Sequence, residues 1–385
     1  MMKKLFLILM VIYLSGCWDR VEIEERGFVV GLALDKPEEE QVEEAYNDPV
    51  EATVQIVIPG KLSPENRSPK PFENMSIVGD SVFEQVRNLS ENSGRGLYFP
   101  HNRIWLISEE VAKTPYLLSE VTEVALRDDD ARRNVKVFIA KDKAKKLFEV
   151  EPINEPTPAR YIEMLGENHS KTAKIFESKR IGDLHENIVD KEDFVIPLIR
   201  YVNEKELHNG GVAVFSRDGH KMVGELNEEE TESLNIILDN YRSGVFKVKF
   251  KEKLVSIEAK RVRSRLSAKK KDMDEIKFRL DIQIEGSLEE VFGNPLKTPE
   301  DIEQLEKAFA KKIASDVKRV IEKAQTDLRT DILGFSEYLN NYDHSTWKQI
   351  KKDWLEGREL FKDVQTDVNV RTYIAHPGSL TKEKK

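Results

Sequence analysis

Cysteine is almost absent from this chain of 385 residues, which contains only Cys17. The chain therefore has no possible internal disulfide, and a buried apolar core has to hold the fold together. Long apolar runs are also missing. The longest, Leu5 to Leu14, is about half of the roughly 20 residues that a helix needs to cross a bilayer. A permanent transmembrane anchor is accordingly disfavoured.

The common catalytic motifs are missing as well. The seven histidines are far apart, and no His-Glu-x-x-His or Cys-x-x-Cys pair exists, which removes the usual basis for zinc hydrolysis and thiol redox chemistry. There is no Walker loop and no Gly-x-Ser-x-Gly elbow. His101 is the best isolated catalytic candidate, although a lone loop histidine is far more often a structural residue. We predict no enzyme activity, no metal site and no cofactor-binding residues.

Charge and composition describe an acidic globular protein. The net charge is −9, and loss of an N-terminal segment containing Lys3 and Lys4 lowers it to −11. A chain this acidic is a poor candidate for binding nucleic acid as its main task. Hydrophobic residues make up 39% and charged residues 34%, which is typical of a well-solvated folded protein. The length suggests two or three domains.

The N-terminus has the layout of an export signal. Lys3 and Lys4 precede the apolar run, and the small residues Ser15 and Gly16 stand where a signal peptidase would cut. The order Leu-Ser-Gly-Cys also looks like a bacterial lipobox, whose cysteine receives a diacylglycerol and a fatty acyl group. We therefore predict a signal peptide at residues 1–16 and lipid attachment at Cys17. The alternative is an ordinary secretory signal with an incidental cysteine.

Strand and helix patterns alternate through the first half of the chain. Short apolar runs predict strands in "RGFVVGLALD", "EATVQIVIPG", "NRIWLIS" and "NVKVFIA". Apolar spacing predicts a helix after Ser81 and another from Tyr116 to Leu126. Further on, "GGVAVFSRDGHKMVGEL" predicts a hairpin. The next helix is predicted to have Asn227 as its N-cap, Glu230 in a capping box and Gly244 as its C-cap.

The second half begins with two long alternating runs, Val245 to Leu266 and Lys277 to Val291, which predict an antiparallel pair. A long amphipathic helix follows, capped by Thr298 and with Pro299 in its first turn. A shorter helix carries Trp347 and Trp354, and "DVQTDVNVRTY" predicts a closing strand.

These patterns predict an α+β fold of mixed α/β character, with mixed or antiparallel sheets packed by helices. They do not predict a doubly wound nucleotide-binding fold. We expect an N-terminal α/β domain at 17–193, a small middle domain at 194–244 and a C-terminal α+β domain at 245–376. The last of these contains the long antiparallel strands and the long helix, and a tail at 377–385 follows. The acidic stretch from Lys36 to Pro49 is predicted to be an exposed loop.

One segment reverses the overall charge. From Arg242 to Lys271, twelve Lys or Arg residues are opposed only by Glu252 and Glu258, a local net charge of +10. Such a ribbon could face anionic lipid or an acidic partner. The alternative is a solvated outer sheet face whose lysines prevent strand-to-strand aggregation. The alternation of lysines from Lys247 to Lys253 favours the second interpretation.

Several blocks taken in order resemble the Ger(x)C family, the C-subunit lipoproteins of nutrient germinant receptors in endospore-forming bacteria. The blocks are "LSGCWDR", "GLALD", "VFEQVRNLSENSGRGLYFPHNRIWLIS", "ALRDDDARRNVKVFIAK", "GVAVFSRDGHKMVGELNEEET" and "DILGFSEYL". The acidic stretch looks longer than is usual in the family.

The resemblance implies a three-domain, non-enzymatic receptor subunit that initiates spore germination. It implies lipid anchoring through Cys17 on the outer face of the cell membrane, which in the spore is the inner membrane. The implied partners are two integral membrane subunits and membrane lipid, with no nucleic acid and no cofactor besides the covalent lipid.

The alternative is a lipid-anchored solute-binding protein of a transporter. Such a protein would share the N-terminus but would have two similar lobes around a ligand cleft, and the long ribbon and long helix argue against it. An envelope hydrolase would need a catalytic cluster that the sequence lacks.

Overall fold

The computed structural model describes residues 26–42, 46–62, 70–127, 132–272, 275–291, 293, 296 and 298–374. The predicted signal peptide, Cys17 and the predicted tail lie outside these residues. The predicted acidic loop is described except for residues 43–45. Glu38, Glu39 and Glu40 within it are exposed, as predicted.

Among the described residues, nine strands form one mixed sheet. They are β1 (Arg26–Asp35), β2 (Val50–Val57), β3 (Phe72–Gly79), β4 (Gly96–Tyr98), β5 (Ile104–Ser108), β6 (Lys136–Ala140), β7 (Phe194–Asn203), β8 (Glu206–Ser216) and β9 (Lys221–Leu226). The order across this first sheet is β3-β2-β1-β5-β6-β7-β8-β9, and β4 pairs with the start of β1. The four central strands β1, β5, β6 and β7 are parallel to one another, whereas the outer pairs are antiparallel.

Helices cover both faces of the first sheet. They are α1 (Val82–Asn92), α2 (Glu109–Lys113), α3 (Leu117–Arg127), α4 (Pro158–Glu167) and α5 (Ile181–Val189). Residues of α1, α2, α3 and α5 share one apolar cluster with the sheet, and α4 joins a second cluster around Phe148. Burial from both sides explains why β5 and β6 are continuous apolar runs rather than alternating ones.

The helix α6 (Glu228–Ile237) follows β9 and has the predicted N-terminus. The Asn227 side chain accepts a hydrogen bond from the Glu230 N–H, and the Glu230 carboxylate accepts one from the Asn227 N–H. The predicted C-cap at Gly244 is wrong. The chain reverses at Asp239, whose φ is 55°, and Gly244 begins the next strand, where a Cβ would lie 2.2 Å from the Tyr241 hydroxyl oxygen.

The second sheet has the order β10-β11-β12-β13 and contains β10 (Gly244–Phe250), β11 (Lys253–Asp272), β12 (Glu275–Val291) and β13 (Gln365–Ile374). The predicted antiparallel pairing of the two long runs is confirmed for β11 and β12, and β13 adds parallel to β12. The first run is not one strand, however. Lys251 and Glu252 both adopt positive φ, 46° and 60°, and form a two-residue turn between β10 and β11.

The long helix α7 (Pro299–Lys323) packs on the inner face of the second sheet. Thr298 and Asp301 form its capping box, and the predicted apolar stripe is buried at Leu305, Phe309 and Ile313. The helices α8 (Phe335–Tyr342), α9 (His344–Trp354) and α10 (Leu360–Asp363) then lead to β13. The α+β fold class is confirmed.

The two sheets share a core. Strands β7, β8 and β9 belong to the first sheet, which is therefore continuous across the boundary expected near Asp193. A single apolar cluster includes Val195 of β7, Val212 of β8, Leu234 of α6 and residues of the second sheet and α7. The division into three domains stays a prediction, and the second sheet begins at Gly244.

Candidate functional site

Asp331 is the centre of the junction between the two sheets. Its carboxylate is buried and accepts hydrogen bonds from the Phe335 N–H at 3.3 Å, the Ser336 N–H at 2.7 Å and the Trp354 indole N–H at 2.8 Å. Burial raises the pKa of Asp331, and the hydrogen bonds from Ser336 and Trp354 oppose the rise because they stabilise the charged form. The carboxylate therefore fixes the start of α8 against α9.

Asp193, the residue just before β7 in the first sheet, belongs to the same hydrogen-bond network. Its carboxylate accepts hydrogen bonds from the Arg217 N–H at 2.8 Å and from the Arg217 Nη2 at 3.0 Å. Its Oδ2 also accepts from the Asp331 N–H at 3.0 Å. Since the Asp193 side chain is fully buried, this network is shielded from water and ties the hairpin of β7 and β8 to the α8 segment.

A groove runs along the surface beside this network. It has a volume of about 520 Å³, and an adjoining recess of about 170 Å³ shares Leu238, Gly334 and Glu337 with it. Tyr338 and Tyr342 line the groove with their ring centroids 4.9 Å apart, and Tyr342 is 77% exposed. Exposed aromatic rings beside polar groups are typical of protein interaction surfaces.

The recess contains one strongly shielded cation. Burial lowers the pKa of Lys179, and the carboxylates of Asp183, Glu192 and Glu337 oppose this shift. Lys179, Glu192 and Glu337 all line the recess. The junction therefore has fixed polar groups and an apolar floor, which suit binding of a protein segment.

The candidate lipid-attachment and catalytic residues predicted from the sequence, Cys17 and His101, are not among the described residues of this junction. Cys17 is outside the described residues. The His101 ring is exposed and packs against Phe28 and Tyr98, with centroids 5.2 Å and 5.6 Å away. Within the described ranges, no group of three or more His, Cys, Asp or Glu residues could hold a metal ion. No helix in the same ranges is long and apolar enough to span a membrane.

The basic segment has a mixed outcome. Lys247 and Lys249 are exposed on alternate positions of β10, as predicted for an outer face. Many of its charges also have carboxylate partners: Lys251 pairs with Asp301, Arg261 with Glu285 at 3.3 Å, and Lys270 with Asp343 at 3.8 Å. These three carboxylates come from outside the segment, so the folded surface is less positive there than the charge summed along the segment.

Sequence reasoning missed Asp193, Arg217 and Asp331. Each lies at the end of an apolar run, where a charged residue is ordinarily a solvated boundary. The stretches "FSRDGH" and "DILGFSEYL" both belong to the blocks that resemble the family, but nothing local to either one indicates that they meet in space.

Comparisons with known proteins match both halves of the chain. A family model described as "Spore germination protein N-terminal domain" matches residues 19–201. A second, described as "Spore germination B3/ GerAC like, C-terminal", matches residues 210–378. Asp193 lies within the first matched range, and Arg217 lies within the second.

Whole-length relatives come from Bacillus subtilis (strain 168). Spore germination protein YndF is 28% identical, over 97% of this chain and 95% of the relative. Spore germination proteins A3 and B3 are 26% and 24% identical, over 97% of each chain. The crystal structure of the GerBC protein aligns with a TM-score of 0.62 at 20% identity, covering 92% of this chain and 100% of that one. This last likeness supports the fold.

Proposed function

Because this chain belongs to the Ger(x)C family of spore germination proteins, we propose that it is a lipid-anchored, non-enzymatic subunit of a membrane nutrient (germinant) receptor. In this proposal the receptor complex initiates spore germination. The observation that carries the proposal is the match of both family models in order, the first of them beginning at residue 19, two residues after the cysteine of the lipobox-like "LSGCWDR".

Lipid attachment at Cys17 accounts for the location that we propose, on the outer face of the cell membrane and the inner membrane of the spore. Two acyl chains give stable anchoring, whereas a single chain binds only marginally. Strand β1 begins at Arg26, so the tether from Cys17 is at most roughly 30 Å long when fully extended. The folded part would thus stay close to the membrane surface.

Assembly with two integral membrane subunits is the second part of the proposal. The junction groove with its exposed Tyr342 offers a surface for such a partner. A solute-binding protein of a transporter is less well supported, because the two sheets differ in strand number and pairing instead of forming two similar lobes.

The test is germination of dormant spores carrying Cys17→Ala, compared with wild-type spores, with spores lacking the protein and with the matched control Glu22→Gln. Loss of refractility after nutrient addition is the readout. Calcium dipicolinate serves as a trigger that bypasses receptors, and a blot measures protein level. Metabolic labelling with a clickable fatty acid reports lipid attachment separately.

We expect Cys17→Ala to abolish labelling and to impair the nutrient response while the bypass trigger still works. Labelling that persists in Cys17→Ala spores would refute the anchor alone. A normal response of the deletion spores to a broad nutrient panel would refute the receptor role and make the transporter interpretation the better one.

A further inference from the structure

The outer face of the second sheet contains a groove lined by arginines. Helix α7 packs on the inner face, so the alternate residues of β11, β12 and β13 point away from it. The strand register places Arg263, Gln283 and Arg371 in one row across the sheet. The next row contains Arg265, Asp281 and Asn369, and Arg279 follows on β12. Together these residues line a cavity of about 550 Å³, which we call the arginine groove.

The groove has more cations than its carboxylate can satisfy. Asp281 accepts from Arg279 Nε and Nη2 at 3.0 Å and from Asn369 Nδ2 at 2.8 Å, so both of its oxygens are engaged. The hydrogen bond from Arg279 is the main reason that the pKa of Asp281 is lowered. In the part of the chain that the structure describes, the guanidinium groups of Arg263, Arg265 and Arg371 have no hydrogen-bond or ion-pair partner, although the charge of Arg371 also helps to lower the pKa of Asp281.

Neighbouring charges on the same face behave differently. Arg261 pairs with Glu285 at 3.3 Å, and Lys277 pairs with Asp367 at 3.0 Å. Other basic side chains on this face are therefore paired with carboxylates, whereas Arg263, Arg265 and Arg371 have no such partner among the described residues. The three like charges repel one another, and an anion bound between them would offset that repulsion.

We propose that the arginine groove binds the carboxylate side chains of an acidic, extended segment of a partner protein. Arg263 and Arg371 are two strands apart, a backbone separation of roughly 10 Å, and the neutral Gln283 lies between them. A carboxylate over Gln283 would meet a guanidinium on each side, and each guanidinium fork can donate two hydrogen bonds to it. Arg265 lies one row further along and can receive the next acidic side chain.

The shape of the surface favours a peptide over a lipid bilayer. The cations line a concavity, which a flat membrane surface does not enter. Asp281, Glu285 and Asp367 belong to the same sheet face, and they would repel a continuous layer of anionic headgroups. Individual carboxylates on an extended chain can avoid them. The inference goes beyond the proposed function and does not depend on the anchor at Cys17.

The experiment measures binding of a fluorescent decapeptide of alternating glutamate and threonine to the full chain carrying Cys17→Ala. Its analogue with glutamine in place of glutamate is the probe control. The test variant is Arg263→Gln with Arg371→Gln, and the matched control is Lys247→Gln with Lys249→Gln, two exposed lysines on the same sheet face. Sedimentation with phosphatidylglycerol vesicles forms a separate arm.

We expect salt-dependent binding of the glutamate peptide that the arginine pair weakens about tenfold and the lysine pair leaves within about twofold. Equal binding of the glutamine peptide, or equal loss in both double variants, would overturn the proposal. So would arginine-dependent binding to vesicles with none to the peptide. Thermal melting verifies that each variant is folded. If the variant with Arg263→Gln and Arg371→Gln melts early, peptide binding by the single variant Arg265→Gln replaces it as the test.

Discussion

Replacing Glu232 by glutamine should make the protein more stable at neutral and alkaline pH. Glu232 lies on α6, mostly buried, and accepts a hydrogen bond from the Tyr241 hydroxyl at 3.4 Å. Burial raises its pKa from 4.5 to about 7, although Lys174 and Lys312 partly oppose the shift. A carboxyl group that resists ionisation in the folded protein penalises folding wherever the unfolded chain has already ionised it.

The sign and size follow from proton linkage. Between pH 4.5 and about 7 the unfolded chain has lost the Glu232 proton while the folded protein still holds it. The free energy of unfolding therefore falls as pH rises through this window, by about 3 kcal/mol in total. Above pH 7 the full penalty is present, and below pH 4.5 it vanishes.

Urea unfolding of wild type and Glu232→Gln at several pH values from 4.5 to 8 tests this reasoning. The variant should match wild type at pH 4.5 and exceed its free energy of unfolding by up to about 3 kcal/mol at pH 8. Glutamine can still accept the hydrogen bond from Tyr241. Glu229→Gln, an exposed change on the same helix, should shift stability by less than about 0.5 kcal/mol. A constant difference between Glu232→Gln and wild type at every pH would refute the argument.

Two further changes probe the junction and the backbone. Asp331→Ala leaves the buried N–H donors of Phe335 and Trp354 and the partly buried one of Ser336 without an acceptor. It should lower the free energy of unfolding by about 3 kcal/mol, whereas Asp331→Asn, which keeps one oxygen, should cost less. Urea midpoints measure both, and equal, small losses would mean that water reaches the donors. Gly211→Ala should cost at least about 2 kcal/mol, because φ is 83° and the new Cβ would lie 2.6 Å from the Leu226 carbonyl oxygen. Gly60→Ala, with open space around its Cβ, is the control, and a melting temperature of Gly211→Ala equal to that of Gly60→Ala would contradict this expectation.

Local patterns in the sequence were enough to predict most elements. The runs around Ile104 and Val137 are strands because each is apolar and too short for a helix, and Thr298 marks the start of α7 because its side chain satisfies a free N–H. The turn at Lys251 and Glu252 was missed because neither residue type favours positive φ. Local steric preference carries no signal there, and strand pairing imposes the turn.

Long-range pairing explains the rest. Asp193 and Asp331 are 138 positions apart, and nothing local to either predicts that they share a hydrogen bond. The basic segment shows the same limit for charge: its partners Asp301, Glu285 and Asp343 come from α7, from β12 and from the start of α9. The net charge summed along this segment therefore overstates the positive charge of the surface that it forms in the folded protein.

The parallel pairing of β13 with β12 has a consequence for the order of assembly. The Thr372 hydroxyl donates to the Glu306 carbonyl, and the Ile374 N–H donates to the Glu306 side chain, so β13 also fastens α7. A long crossover containing the four helices α7 to α10 separates β12 from β13, and closing so large a loop is slow. During folding, β12 therefore exposes an unpaired edge until nearly all of the described chain is available. Any chain that stops short of β13 keeps that edge open, and with it a template for aggregation.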